Sequence, residues 1–133
     1  PFMPRHPSVY ADLLSQKMNH HGATAWLINT GWSGGPYGVG NRMKIKYTRA
    51  MLNAALDGEL DNIEYAKDER FGFEVPLQCP GVPSDVLQPI KTWDDSEQYN
   101  LLADNLARMF VENFARYEGG VSDAVNSASP KVA

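Results

Sequence analysis

The stretch Trp26-Leu-Ile-Asn-Thr-Gly-Trp-Ser-Gly-Gly-Pro-Tyr-Gly-Val-Gly-Asn-Arg-Met-Lys-Ile-Lys-Tyr-Thr-Arg49 joins an apolar run to a glycine-rich loop and then to a basic, hydroxyl-bearing segment. That order predicts a strand, a binding loop and a helix start. Ala23 to Thr30 is too short and too continuously apolar for a surface helix. Trp26, Ile28 and Thr30 favour a pleated strand buried on both faces, the best candidate for a central strand. Five glycines and Pro36 lie between Gly31 and Gly40, so the backbone there can take positive φ and approach a ligand, and regular structure is not expected. Gly35 to Gly40 has the two-glycine spacing of a Walker A loop, but Asn41-Arg42 stands where Lys-Ser/Thr is required. The order G-x-G-x-x-G after the strand is absent as well. Neither common phosphate-binding motif fits, and a binding loop and a flexible surface turn both stay open.

Upstream, Val9, Tyr10, Leu13, Leu14 and Met18 recur every three to four residues and predict a helix over 9–20, with Ser8 as N-cap and Gly22 as stop. Downstream, Met43 to Tyr47 alternates as a short strand does, and Ala50, Met51, Leu52, Ala54, Ala55 and Leu56 predict a second helix closed by Asp57-Gly58. Phe71-Gly-Phe-Glu-Val75 alternates by two and ends at Pro76, as an edge strand does. Prolines 76, 80, 83 and 89 predict an extended connector with one helical turn near 85–87. Asp94-Asp-Ser-Glu97 has capping-box spacing and precedes a long amphipathic helix through Tyr99, Leu102, Leu106, Met109, Phe110, Phe114 and Tyr117, with Arg116 placed to pair with Glu112. The small polar residues after Gly119-Gly120 predict a frayed tail. Helices and strands intermixed in this way indicate an α/β unit with a mixed sheet.

The motif Asn29-Thr-Gly-Trp32, the glycine-rich turn, Arg42 followed by a hydrophobic residue, and Thr48-Arg-Ala50 opening a helix resemble one segment of the ATP-dependent phosphoenolpyruvate carboxykinases. The resemblance continues through His6-Pro7, Tyr10-Ala11, Ala55 to Asp61, Phe71 to Pro76 and Pro80 to Pro83, and reaches about Tyr117. It implies a C-terminal segment of a longer chain: residues 1–118 from the nucleotide-binding domain and 119–133 a flexible tail. The start at Pro1-Phe2 without Met and the lack of a complete catalytic set agree with that expectation. It further implies that Arg42 lies against the adenine and ribose of ATP, Met43 meets the base largely through its backbone, and Thr48 hydrogen-bonds the adenine edge. Many relatives carry Ile at the position of Met43. The complete enzyme converts oxaloacetate and ATP to phosphoenolpyruvate, CO2 and ADP in gluconeogenesis, using Mn2+ and Mg2+ bound by residues that have no match here. The chain alone is expected to be inactive, its partners being ATP, oxaloacetate and the remainder of the carboxykinase chain, with homo-oligomers known in the family. The rival expectations are an ATP-binding module without catalysis and an assembly domain.

Other residues add little chemistry. Without the resemblance, Arg42 reads as a solvated charge beside Lys44 and Lys46, and Thr48 as a helix N-cap. Trp32 and Tyr37 are candidates for base stacking, with core packing at least as good a reading for Trp32, and Lys44, Lys46 and Arg49 read as a solvated basic edge, with a phosphate contact the minor alternative. His6, His20 and His21 lack partners at metal-ligand spacing, and Cys79 has no base at a fixed spacing, so no metal ligand and no catalytic residue is assigned. A net charge of -4, from 12 basic and 16 acidic residues, argues against a nucleic-acid or anionic-membrane partner. No apolar run approaches the roughly 20 residues of a spanning helix, and a single cysteine fits a reducing compartment, so the cytoplasm is the expected location. At 133 residues with 43% hydrophobic content, the length is that of one domain at most.

Overall fold

The computed structural model describes residues 4–132. Helix α1, Pro7–His21, starts with Pro at its first position and is capped by His6, whose Nδ1 accepts from the Ser8 N–H, so the cap lies two residues before the predicted Ser8. It stops at Gly22, whose φ of 60° is left-handed and whose N–H bonds the Met18 carbonyl. None of its residues is buried, and Leu13 and Leu14 stay exposed.

Ala23 to Thr30 runs on without bend, turn or ladder, so the predicted central strand has no pairing partner among the described residues. Its alternation survives: Trp26 and Ile28 are half-buried, while Leu27 between them is 80% exposed. The regular structure lies instead in the glycine loop, where β1 (Trp32–Ser33) pairs antiparallel with β2 (Asn41–Arg42). The expectation of an irregular loop rested on the conformational freedom of its glycines and on Pro36. Here glycine is what lets the hairpin close. A Cβ on Gly40 would stand 2.6 Å from the Gly35 carbonyl oxygen and 2.7 Å from that of Ser33.

Helix α2, Ile45–Leu56, begins where a strand was predicted over 43–47. Starting the helix there puts Tyr47 on one stripe with Ala50, Met51, Ala54 and Ala55, all packed in the core, whereas a strand would lose that stripe. Gly58, with φ 74°, then lets the Glu59 N–H reach the Ala54 carbonyl at 2.9 Å and closes the helix.

Strands β3 (Tyr65–Lys67) and β4 (Glu74–Pro76) form a second antiparallel hairpin, in register Tyr65 with Pro76, Ala66 with Val75 and Lys67 with Glu74. The predicted strand over 71–75 is displaced toward its end because Asp68 organises a turn: its Oδ1 accepts from the Arg70 N–H at 3.1 Å and the Phe71 N–H at 2.6 Å. The two sheets are thus separate antiparallel hairpins, and the expected mixed sheet is absent among the described residues. The composition remains a mixture of α and β elements.

The connector contains α3 (Ser84–Leu87) and a 3-10 turn (Pro89–Thr92) before α4, Ser96–Phe114. Asp95, not Asp94, caps α4, accepting from the Glu97 and Gln98 N–H groups. The helix ends before Arg116, which bonds Asn113 instead of Glu112. Arg70 ties the β3–β4 turn to α4, with Nε 2.6 Å from Asp104 and Nη2 3.1 Å from Asn100. Beyond a 3-10 turn at Glu118–Gly120, in the predicted tail, residues Asp123–Ser127 form α5, and the Lys131 N–H donates to the Arg70 carbonyl.

The core is small. Ala54, Leu60, Cys79, Val82 and Leu87 are buried, with Trp26, Tyr47, Met51 and Val86 packed around them, while α4 buries Ala103 and Ala107. No helix among the described residues is long and apolar enough to cross a membrane.

Leu60 is 3% exposed, so Leu60→Ala is expected to cost about 2–5 kcal/mol in urea unfolding. Leu13→Ala, at a position 51% exposed, should change stability by no more than about 0.5 kcal/mol. A pH effect follows from the same burial. It raises the Cys79 thiol above its ordinary 9.0, helped by Glu59, and the Tyr65 phenol above its ordinary 10.0, helped by Asp61. The protonated forms are the ones the fold favours. Their contribution is lost as pH rises through the raised values, so the urea midpoint should fall as pH is taken above about 9. Tyr65 donates to the Leu60 carbonyl at 2.6 Å, and Tyr65→Phe should cost about 1 kcal/mol at neutral pH and reduce that alkaline loss.

Candidate functional site

The junction from the β1–β2 hairpin into α2 carries all three residues singled out from the sequence. Arg42 closes β2 opposite Trp32, so both side chains share one face of the hairpin, and both are exposed. Trp32 also packs edge-on against Tyr37, at 5.2 Å between ring centres, and Tyr37 is almost fully exposed. Neither aromatic is a core residue.

Met43 is half-buried, and its N–H donates to the Gly31 carbonyl at 2.7 Å. That bond pins the end of the hairpin to its start. It also commits the Met43 amide, so a ligand would meet the Met43 backbone through the carbonyl. Thr48 lies in the first turn of α2, its N–H directed to the Lys44 carbonyl at 3.3 Å. The N-cap is Lys44, with no side-chain capping bond, which corrects the capping role for Thr48. The Thr48 hydroxyl has no hydrogen-bond partner among the described residues and keeps its full donor and acceptor capacity.

Charge around this junction is one-sided. The first turn of α2 contains no acidic residue, and Arg42, Lys44, Lys46 and Arg49 surround it. Helix N-termini carry a partial positive charge, so the junction is electropositive even though the chain is acidic overall. Lys46 is not simply solvated, since its Nζ lies 4.9 Å from the centre of the Tyr47 ring.

A half-open, mostly apolar cavity of about 1010 Å³ adjoins the junction, lined among others by Trp26, Ile28, Trp32, Met43, Tyr65 and Phe73. Of the three predicted site residues, only Met43 lines it. Arg42 and Thr48 lie outside its wall. The hairpin is held over the cavity by the 3-10 turn. Ser33 Oγ donates to Thr92 Oγ1 at 3.2 Å, and the Gly34 backbone approaches the Thr92 carbonyl so closely that a Cβ there would stand 2.7 Å from its oxygen. Sequence reading missed Thr92, which follows Lys91 with no motif around it. Its pairing with Ser33 spans 59 positions, and only the glycine at 34 hinted at a close backbone approach.

No group of three His, Cys, Asp or Glu side chains able to hold a metal ion occurs among the described residues. His6 is bonded to Ser8, and His20 packs on His21. Cys79 is buried, and burial raises its thiol above the ordinary 9.0, which disfavours the thiolate.

Comparison with known proteins brings one family to this segment. The family model described as phosphoenolpyruvate carboxykinase matches residues 1–85. The phosphoenolpyruvate carboxykinase (ATP) of Thermus thermophilus is 52% identical over 131 residues, which is 98% of this chain and 25% of the relative. That of Parvibaculum lavamentivorans is 51% identical over 133 residues, 100% of this chain and 25% of the relative. That of a Ruegeria species is 53% identical over 129 residues, 97% and 24% respectively. The chain spans about a quarter of the length of the curated relatives it matches.

The seating of the hairpin can be checked with two glycines of similar φ. Gly34→Ala combines a φ of 77° with the clash at Thr92 and should lower stability by more than about 2 kcal/mol. Gly22→Ala, at φ 60° with nothing within 4 Å, should cost only about 1 kcal/mol. Equal losses in thermal unfolding would mean that the hairpin is not pressed on Thr92.

Proposed function

Because the chain belongs to the phosphoenolpyruvate carboxykinase family, we propose that it is the C-terminal part of an ATP-dependent phosphoenolpyruvate carboxykinase and supplies the wall against which the adenosine of ATP lies. The observation that carries the proposal is identity of about half over the whole chain to relatives named phosphoenolpyruvate carboxykinase (ATP). Residues 1–118 are assigned to the nucleotide-binding domain and 119–133 to its tail.

In this proposal the exposed guanidinium of Arg42 stacks on the purine, the Met43 carbonyl meets the base edge, and the uncommitted Thr48 hydroxyl completes the hydrogen bonding. A guanidinium on an aromatic face contributes about 0.5–2 kcal/mol. The electropositive start of α2 favours the polyanionic nucleotide without base specificity. The complete enzyme would decarboxylate oxaloacetate and phosphorylate the enolate from ATP, a gluconeogenic step in the cytoplasm. Phosphoryl transfer requires positioned cations. The described residues do not fit a divalent-metal site, so Mn2+ and Mg2+ are assigned to the remainder of the enzyme, and so are the catalytic groups. Without the phosphate contacts, this chain alone should bind ATP only at about millimolar Kd or weaker.

The test joins this chain to the remaining three quarters of the Thermus relative and measures ATP- and Mn2+-dependent formation of phosphoenolpyruvate. Arg42→Ala should raise KM for ATP by about 2- to 30-fold with little change in kcat, and Thr48→Ala by about 3- to 10-fold. A folded hybrid without activity, or one indifferent to both substitutions, would overturn the proposal and favour an assembly role for this segment.

A further inference from the structure

The β1–β2 hairpin has little with which to fix its own orientation. Each strand has two residues, and a lone two-stranded hairpin is marginal in water. Its braces are mostly local. Asn29 accepts from the Gly31 N–H at 2.8 Å and donates to the Trp32 carbonyl at 3.1 Å, and the Met43 N–H reaches back to the Gly31 carbonyl. The Trp32–Tyr37 ring contact also stays within the hairpin. Among the described residues, one hydrogen bond links positions 31–43 to a distant part of the chain, that of Ser33 Oγ to Thr92 Oγ1 at 3.2 Å.

Thr92 is the fixed end of that link. Its hydroxyl donates to the Pro89 carbonyl at 2.7 Å, which leaves the oxygen lone pairs to accept from Ser33 and sets the direction of both bonds. Pro89 opens the 3-10 turn with a locked φ, and the Lys91 N–H donates to the Gln88 carbonyl at 2.9 Å. The next residue, Trp93, packs edge-on against Tyr99 of α4, at 5.6 Å between ring centres. Because the Gly34 backbone lies against the Thr92 carbonyl, the hairpin meets Thr92 at both its hydroxyl and its carbonyl. Contacts on two neighbouring hairpin residues fix tilt as well as distance.

The strand register carries that tilt to the site. Ser33 stands opposite Asn41 and Trp32 opposite Arg42, so the residue held by Thr92 is one rung from the rung that bears the guanidinium. Arg42 itself makes no hydrogen bond, ion pair or ring contact with a described residue, and only its backbone places it. Binding groups need to be held within about 0.5 Å and 10–20° of their productive geometry by the residues behind them.

We infer that Thr92 is a positioning residue for the nucleotide: by seating Ser33 and Gly34 it sets the tilt of the hairpin, and hence where Arg42 and the Met43 carbonyl stand. This rests on reading Arg42 and Met43 as purine contacts. Thr92 acts through the hairpin and not on the base.

The test uses the hybrid with the remainder of the Thermus relative. Thr92→Val keeps the side-chain shape, removes the hydroxyl, and should raise KM for ATP by about 3- to 10-fold with kcat within about twofold of the parent. Thr92→Ser, which retains the oxygen, should bring KM back to within about twofold of the parent. Ser33→Ala should give the same rise as Thr92→Val, and the double variant no further rise, because both break one link. In the chain alone, without ATP, Thr92→Val should speed amide exchange at Met43 by about 5-fold as the hairpin loosens. Unchanged Met43 exchange would overturn the inference without recourse to activity. A fall in kcat at unchanged KM, or Thr92→Ser no better than Thr92→Val, would make Thr92 structural only and overturn it as well. Unchanged KM in Thr92→Val beside a raised KM in Arg42→Ala would sink this inference and leave the nucleotide proposal standing. Unchanged KM in both variants would overturn the nucleotide proposal and this inference with it.

Discussion

Close packing of α2 on the proline-rich connector is the constraint on which the rest of the molecule depends. Ala54, 1% exposed, allows the helix backbone to approach Leu60, Cys79, Val82 and Leu87, and Gly81 brings the connector against Ala50, within 3.6 Å of where its own Cβ would stand. Larger residues at 50 or 54 would push the connector off, because interiors pack at crystal-like density and transmit such strain. That seam fixes the direction of α2, and therefore where its first turn and Thr48 stand. It also supports Trp26 from below, which holds the straight segment 23–30 on the core.

The hairpin ahead of α2 has almost no burial of its own and is held by main-chain geometry. Glycine at 34 and 40 lets carbonyls of Thr92, Ser33 and Gly35 come closer than any Cβ would permit, and the Met43 N–H locks the hairpin exit to Gly31. Arg42 and Thr48 therefore keep their side chains uncommitted while their backbones are fixed. That combination suits ligand contact, since the polar groups need not be released from other bonds before they engage. Arg70 binds the β3–β4 turn to α4 through Asp104 and Asn100. Hydrogen bonding to Asp104 raises the Arg70 pKa further, but with both partners partly solvated the pair positions the turn more than it stabilises the fold.

Much of the local structure was legible in the chain. Gly22 as a stop, a helix through Ala50 to Leu56, a turn at 85–87 and a long helix after the acidic pair all occur where periodicity and capping chemistry put them. The misplacements have physical causes. Met43 to Tyr47 alternates like a strand, yet Tyr47 is worth more on the α2 stripe. The motif at Asp68 moved β4 toward Pro76 by consuming Phe71 in a turn. The glycine loop formed a hairpin because its glycines permit close carbonyl contacts, a property invisible to strand propensity. Arg42, Met43 and Thr48 stood out only through the family motif, since an exposed arginine and a helical threonine carry no signal by themselves.

By itself the sequence determined the family and the order of helices and loops, because each of these is written in local patterns of side-chain type. Tertiary structure decided which of those patterns finds a partner. It seated the hairpin on Thr92, paired Tyr65–Lys67 with Glu74–Pro76, and left the strand-like run without a sheet. The physical reason is that hydrogen-bond ladders and buried layers are relations between distant residues. A strand's pattern states what it needs, and only the rest of the fold can supply it.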